Sequence, residues 1–420
     1  MNLKKIILVT ALNVIIAISA FADVTTPYSM YGYGILGDRA TSMQSQMGGI
    51  GVAMNSGRQI NVINPASYAA VDSLTFLFDM GADMSMIWSK EGSESDRQFG
   101  GGLNYLTMQV PLWKHIGASF GLIPYSSVGY AFGNDISHGA MENQGSGGIN
   151  ELYLGVAGEF KGFSLGVNVS YDFGNIVNDI FTTTSSGGAS KFEHVMKIRD
   201  YNVVVGAQYT ARWSRFNKMV FGLTYSPKKT MYGNSFATTQ ETNSDTYPDT
   251  VGMMKLKGKY FTPHAVGAGI SYTYEKQSRI MVEADFSWQG WKDALYSPLY
   301  ATAQPDKVLF DGMQFNNRTR YAVGAECIPR LRGNYGQRMT YRIGGYFCND
   351  YLNIKGNGVK EMGISAGVGF PTPEGKTMVN LGIEWKQRYA SPQTLIRENY
   401  LNITLGVNFN EVWFFKRKIR

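Results

Sequence analysis

The chain has 420 residues, 44% hydrophobic and 17% charged, with a formal net charge of +7. Its positive charges are spread along the sequence apart from Lys416-Arg417-Lys418 at the end, which argues against nucleic acid as a partner. The mean hydropathy of −0.18 does not exclude a membrane barrel, in which only every second residue of a strand meets lipid. High counts of Gly (49), Tyr (26) and Phe (23) suit a tight wall of strands with aromatic girdles, although a soluble propeller shares this composition.

Residues 1–22 read as a signal peptide. Lys4 and Lys5 form a basic start, Ile6 to Ile18 an apolar run, and Ala20-Phe21-Ala22 a cleavage site before Asp23. The run is shorter than the ~20 residues a spanning helix needs. Removing it takes the net charge from +7 to +5, because it holds two lysines and no acid.

From Asp23 to Ile63 the sequence is rich in glycine and methionine and has no sustained alternation. Ala40, Met43 and Met47 have the spacing of one short helix. Gly32-Tyr33-Gly34-Ile35-Leu36-Gly37 matches G-x-G-x-x-G, but no buried strand precedes it, so it reads as a turn and not a dinucleotide site. The apolar content argues against a disordered leader and for a plug folded inside a barrel. Asn64-Pro65-Ala66 closes this run. Proline fixes φ and removes a donor, so the tripeptide marks a forced turn. The first strand is expected near Ser73, with Leu74, Phe76, Phe78 and Met80 on one face.

Fourteen strand candidates follow, from about 73–89 to about 396–415. In one, Phe163, Leu165, Val167, Val169, Tyr171 and Phe173 alternate with Ser164, Gly166, Asn168, Ser170, Asp172 and Gly174. Many runs exceed a dozen residues, above the soluble mode of ~5–6 and enough to cross a bilayer when tilted. Connections at one end are long (135–147, 177–192, 234–256, 294–315), whereas those at the other are tight turns such as Lys114 and Lys161. That asymmetry is how outer-membrane barrels are built, with the long loops outside the cell. The predicted fold is all-β: a 14-stranded antiparallel transmembrane barrel over 67–420 with an N-terminal hatch over 23–66.

Inward positions should then be polar. Glu283, Asp285, Glu326, Arg342, Glu384 and Lys386 all fall on that parity, and we read them as solvated lumen residues and ion-pair partners of the plug, not as a paired-carboxylate site. Cys327 lies on outward parity and Cys348 on inward parity, so both are expected as free thiols. The histidines, His115, His138, His194 and His264, are expected in a turn, two loops and a strand, without metal-ligand spacing. No catalytic, cofactor or metal residues are assigned, and an outer-membrane lipid enzyme would need a Ser–His pair within hydrogen-bond reach. Pro124 interrupts an otherwise good third strand, which demands an edge or a bulge there. Pro227 and Pro263 pose the same question in strands seven and eight.

Tyr28-Ser29 with Gly32 to Asp38, Met47-Gly48-Gly49-Ile50-Gly51, Asn64-Pro65-Ala66-Ser67 and the closing Trp413 to Ile419 together resemble the FadL-type outer-membrane transporters of hydrophobic compounds, in the form common among Bacteroidetes. The resemblance spans nearly the whole mature chain. It implies ligand capture at the outer loops, passage to a pocket by the hatch, and sideways exit through a kinked third strand. By that analogy Asn64, Pro65 and Ala66 end the hatch, and Pro124, Tyr125 and Ser126 lie near the lateral opening. The expected role is passive transport of fatty-acid-like or aromatic molecules by a monomer in the outer membrane of a Gram-negative cell, in contact with its lipid. The alternative is a protein-binding barrel of a secretion system, or a structural outer-membrane protein.

Overall fold

A computed structural model describes residues 26–136, 138–185, 188–242, 249–257, 260–294, 299–301, 304–310, 314–372 and 377–412. The expected signal peptide, its cleavage site and the closing aromatic and basic tail lie outside the described residues. Fourteen strands form the barrel. They are β1 Thr75–Glu91, β2 Glu94–Trp113, β3 Ile116–Ile136, β4 Gly139–Phe160, β5 Phe163–Thr184, β6 Ala189–Ser214, β7 Asn217–Ser226, β8 Ala265–Glu275, β9 Arg279–Gln289, β10 Arg318–Ile328, β11 Thr340–Ile354, β12 Asn357–Pro371, β13 Met378–Ser391 and β14 Arg397–Val412. Every neighbouring pair is antiparallel, and β1 closes on β14 from Thr75 opposite Val412 to Lys90 opposite Arg397. Closure leaves neither end of the sheet as a free edge, the condition for a sheet to sit in lipid.

Alternation sets the two faces. On β4 and β5, Leu154, Val156, Leu165, Val167 and Val169 are exposed on the outside, while Asn168, Ser170 and Asp172 are buried within. Exposed Trp113, Phe160, Phe163 and Trp213 stand at one rim, where amphipathic rings mark the bilayer boundary. No helix among the described residues is long and apolar enough to cross a membrane.

Two expectations need correcting. The described residues of 135–147 and 177–192 are strand apart from His138, Ser185 and Gly188, because β4 and β5 run for 22 residues each and β6 for 26, well beyond the ~9–11 needed to span. At their distal ends the apolar alternation of the sequence fades while the ladder continues. Pro227 follows β7 and Pro263 precedes β8. Each proline lies just outside a barrel strand and interrupts none, as a residue without an N–H donor should. The 234–256 stretch forms its own hairpin, Gly233–Thr242 with Asp249–Lys257, whose first arm pairs with β6. Cys327 and Cys348 are both free thiols; they sit opposite Tyr341 and Arg320 in the β10–β11 ladder.

Candidate functional site

The segment from Thr26 to Val71 lies against the inward face of the wall. It is built from short pieces: a one-turn helix at Ser42–Ser45 with a Thr41–Gln44 capping box, and a 3₁₀ helix at Pro65–Ala70. Asn64 caps the latter by accepting from the Ala66 N–H at 3.1 Å, while its own amide donates to the Val52 carbonyl at 2.7 Å. Asn64-Pro65-Ala66 thus opens a buried helix, and the buried run continues to Ala69. Glycines in the wall let the segment approach backbone to backbone. A Cβ on Gly166 would stand 2.5 Å from the Pro65 carbonyl carbon, one on Gly222 2.0 Å from the Val52 oxygen, and one on Gly344 2.1 Å from the Met47 carbonyl carbon.

Polar clamps complete the seating. The Gly51 and Val52 N–H groups donate to Asp285 at 2.7 and 2.9 Å, and Ala53 donates to Glu283 at 2.9 Å. These two carboxylates were expected as solvated lumen residues and ion-pair partners of the plug. Glu283 is instead 1% exposed, and both receive backbone donors that would otherwise be unpaired. Arg342 pairs with Glu326 at 2.9 Å and donates to Gln46 at 3.1 Å. Asp38 receives Arg318 at 2.8 Å and Arg320 at 3.4 Å, and Arg39 reaches Glu151 at 2.6 Å. Burial alone would raise the Asp38 carboxyl, but Arg320 and Arg318 outweigh it and hold the group well below the usual carboxylate range. Glu384 accepts from Asn402 at 2.7 Å, and Lys386 lies over the Tyr400 ring and 4.0 Å from Glu361.

Pro124 sits at a break in the wall. The β2–β3 ladder runs only from Trp113 opposite Ile116 to Leu106 opposite Leu122. Beyond it β2 pairs with β1 alone, with a bulge at Asn104 between the Gly81–Tyr105 and Ala82–Leu103 pairs. On the other side β3 keeps pairing with β4 but bulges at Tyr125, between Pro124 opposite Asn150 and Ser126 opposite Ile149. The N-terminal segment partly covers the freed edge of β3: Ile35 and Leu36 pair with Ser127 and Ser126, and the Gly37 N–H donates to the Tyr125 carbonyl at 2.9 Å. Gly34, at φ +82°, makes this approach possible, since a Cβ there would lie 2.4 Å from the Ser127 oxygen.

Cavities gather on both sides of Leu36–Arg39. One of about 270 Å³ opens at the seam, lined by Gly102, Leu103, Asn104, Pro124, Ser126 and Lys386 among others. A second, about 150 Å³, connects the Pro124 region to Asp38, Arg320 and Glu384. A third, about 160 Å³, mixes Leu36, Val52, Tyr125 and Trp288 with Arg39, Asp285 and Arg318. A molecule here meets apolar and charged groups together. Above them the lumen is filled by an aromatic cluster of Tyr33, Tyr260, Trp291, Phe315 and Tyr351.

His194 lies in strand β6 and donates to or accepts from Ser235 at 2.7 Å, whereas His264 lies just before β8; the two had been expected the other way round. A Ser–His pair within reach therefore exists. Ser235 is 4% exposed and His194 7%, and neither lines the cavities described above. The clamping residues Asp38, Arg39, Glu151, Arg318 and Arg320 escaped the sequence reading. Asp38-Arg39 are the sole charges between Asp23 and Arg58, a signal that was available there.

A family model described as BamG matches residues 2–420. No curated protein matches the sequence. Among solved structures, a Pseudomonas aeruginosa FadL homologue superposes with a TM-score of 0.64 at 10% identity, over 90% of this chain and 99% of that one. The P. putida toluene transporter TodX gives 0.61 at 13% identity, over 90% and 100%. The Ralstonia pickettii toluene transporter TbuX gives 0.58 at 13%, over 88% and 98%. At such identities the likeness is one of fold, so the resemblance read from the sequence holds at that level while the sequence family carries a different name. By the match across almost its full length, the chain belongs to the BamG family.

Proposed function

We propose that this outer-membrane barrel passes hydrophobic small molecules between its lumen and the bilayer, sideways through the seam between β2 and β3. The observation that supports this is the unpaired stretch of wall above Leu106 and Leu122, with a cavity of about 270 Å³ directly behind it. In this reading the Thr26–Val71 segment is a hatch, Pro124, Tyr125 and Ser126 frame the opening, and the barrel works as a monomer. Exposed Phe99 and Leu103 on the freed β2 edge give an apolar molecule a surface to leave along. The solved barrels of the same fold include two toluene transporters, which is consistent with this class of cargo.

The test is uptake of labelled long-chain fatty acid and of toluene in cells carrying the intact barrel, a Gly102→Trp variant or a deletion. A Cβ on Gly102 meets nothing within 4 Å, so tryptophan fills the gap without displacing the wall. Expected is normal insertion with uptake reduced to the level of the deletion. Equal uptake in all three strains sinks the proposal. A second reading, a barrel that works by holding a protein partner, draws support from the clamps on the segment and the charged lining of the cavities, and would then take precedence.

A further inference from the structure

The end of the barrel that carries the turns at Lys114 and Lys161, opposite the extended hairpins of β3–β6, faces the periplasm in the orientation argued above, and it has a feature that hydrophobic passage does not use. A bowl of about 510 Å³ opens there, floored by the Asn55–Arg58 and Ala69–Ser73 stretches. The strand ends around it point inward by parity. Gln208 and Val220 are buried on the lumen face, so Arg212 and Lys218, which sit opposite each other in the ladder, continue that face to the rim. Met281 places Arg279 on it in the same way. Arg58 joins from the floor and Lys114 from the first turn.

The acids in the bowl are Asp72, Glu159 and Glu275. Only Glu275 is engaged there, 3.7 Å from Arg279, which also lies 3.9 Å from buried Glu326. Lys218 donates to the Asn55 carbonyl at 2.7 Å. Among the described residues Arg58, Lys114 and Arg212 have no ion-pair partner, and all three are exposed. Outside the bowl the pattern continues, because the next turns carry Lys161, Arg215, Lys276 and Arg330.

We propose that this bowl is a docking site for an acidic segment of a periplasmic protein. Charge complementarity selects the occupant: a cavity rimmed by unpaired guanidinium and ammonium groups favours carboxylates from solution and repels basic partners. Position selects a protein over lipid. The lysines at the bilayer boundary are Lys161 and Lys276, which lie over Phe160 at 5.3 Å and over Phe216 at 5.4 Å, side chains lying along apolar rings as snorkelling requires. The bowl residues lie on the opposite, axial side of the strands and open onto water.

The experiment uses the full-length barrel in detergent, with a fluorescein-labelled octaglutamate peptide followed by anisotropy and a Ser-Gly peptide as control. Binding of octaglutamate alone is expected, weakened by salt and weakened roughly tenfold in an Arg58→Gln/Arg212→Gln variant. The Arg58→Lys/Arg212→Lys variant keeps the charge and should bind like the parent, which separates lost charge from a damaged fold. Absent binding, equal binding of the neutral peptide, or indifference to salt overturns the proposal. So does loss of co-purifying phosphatidylglycerol in the glutamine variant, read by native mass spectrometry, with octaglutamate binding unchanged; that result assigns the bowl to lipid. None of these readouts depends on whether hydrophobic molecules cross the seam.

Discussion

The wall at β4–β6 and the wall at β2–β3 are made of the same kind of strand, yet they behave differently. Between β4 and β5 every residue from Gly139 to Phe160 has a partner. Between β2 and β3 pairing stops after Leu106. On the continuous side Gly166 and Gly206 face the N-terminal segment, Gly166 meeting the Pro65 backbone and Gly206 the Asn64 and Pro65 side chains; on the seam side Gly102 faces empty space. One residue type thus serves close packing in one region and a gap in the other. The difference lies in the two bulges, at Asn104 and Tyr125, which carry β2 and β3 apart where a lone proline would only have left one donor missing.

If the wall away from the seam is what holds the segment, disturbing its contacts should cost most. Replacing Arg342 with methionine leaves Glu326 charged and buried without its partner. The expected loss is about 3–5 kcal/mol, read as a lower temperature for the heat-induced band shift on a gel. An unshifted band would mean that water or Arg279 compensates. Gly166→Val forces a side chain into the Pro65 backbone and should cost about 1–3 kcal/mol. Its counterpart, Gly102→Ala, should stay within about 0.5 kcal/mol of the parent; equal losses from both would erase the contrast between the regions. The smallest effect concerns acid. Because the Asp38 carboxyl is held below its ordinary value, its contribution is complete above the unfolded value of about 3.9. It is lost as pH falls through the folded one. Stability of the parent relative to Asp38→Asn should therefore be flat from neutral pH to about pH 5 and narrow only in stronger acid.

The barrel was legible because its strands repeat every two residues and the two faces meet different solvents. Phe163 to Gly174 announces its register without help from any other part of the chain. In 135–147 and 177–192 the sequence lacks that contrast, and strand was read as loop. Pro124 marked the break in the wall, because a missing donor is a local property. Parity placed Glu283 and Asp285 inward, but it carries no information on what fills the lumen, so their backbone partners at Gly51–Ala53 stayed hidden. The Asp38–Arg318 contact joins residues 280 positions apart, and nothing in either neighbourhood names the other.

The close seating of the segment against Gly166, Gly222 and Gly344 also constrains the order of assembly. Clearances this small leave no room to thread a peptide down the axis of a finished cylinder. The first part of the chain to be made must wait, unsheltered, while later strands wrap around it, and the β1–β14 join seals it in. We therefore expect that strands refolded without residues 23–72 will not recover the parent's heat resistance when that piece is added afterwards as a free peptide. Recovery would show that the cylinder breathes far more widely than its ladders suggest.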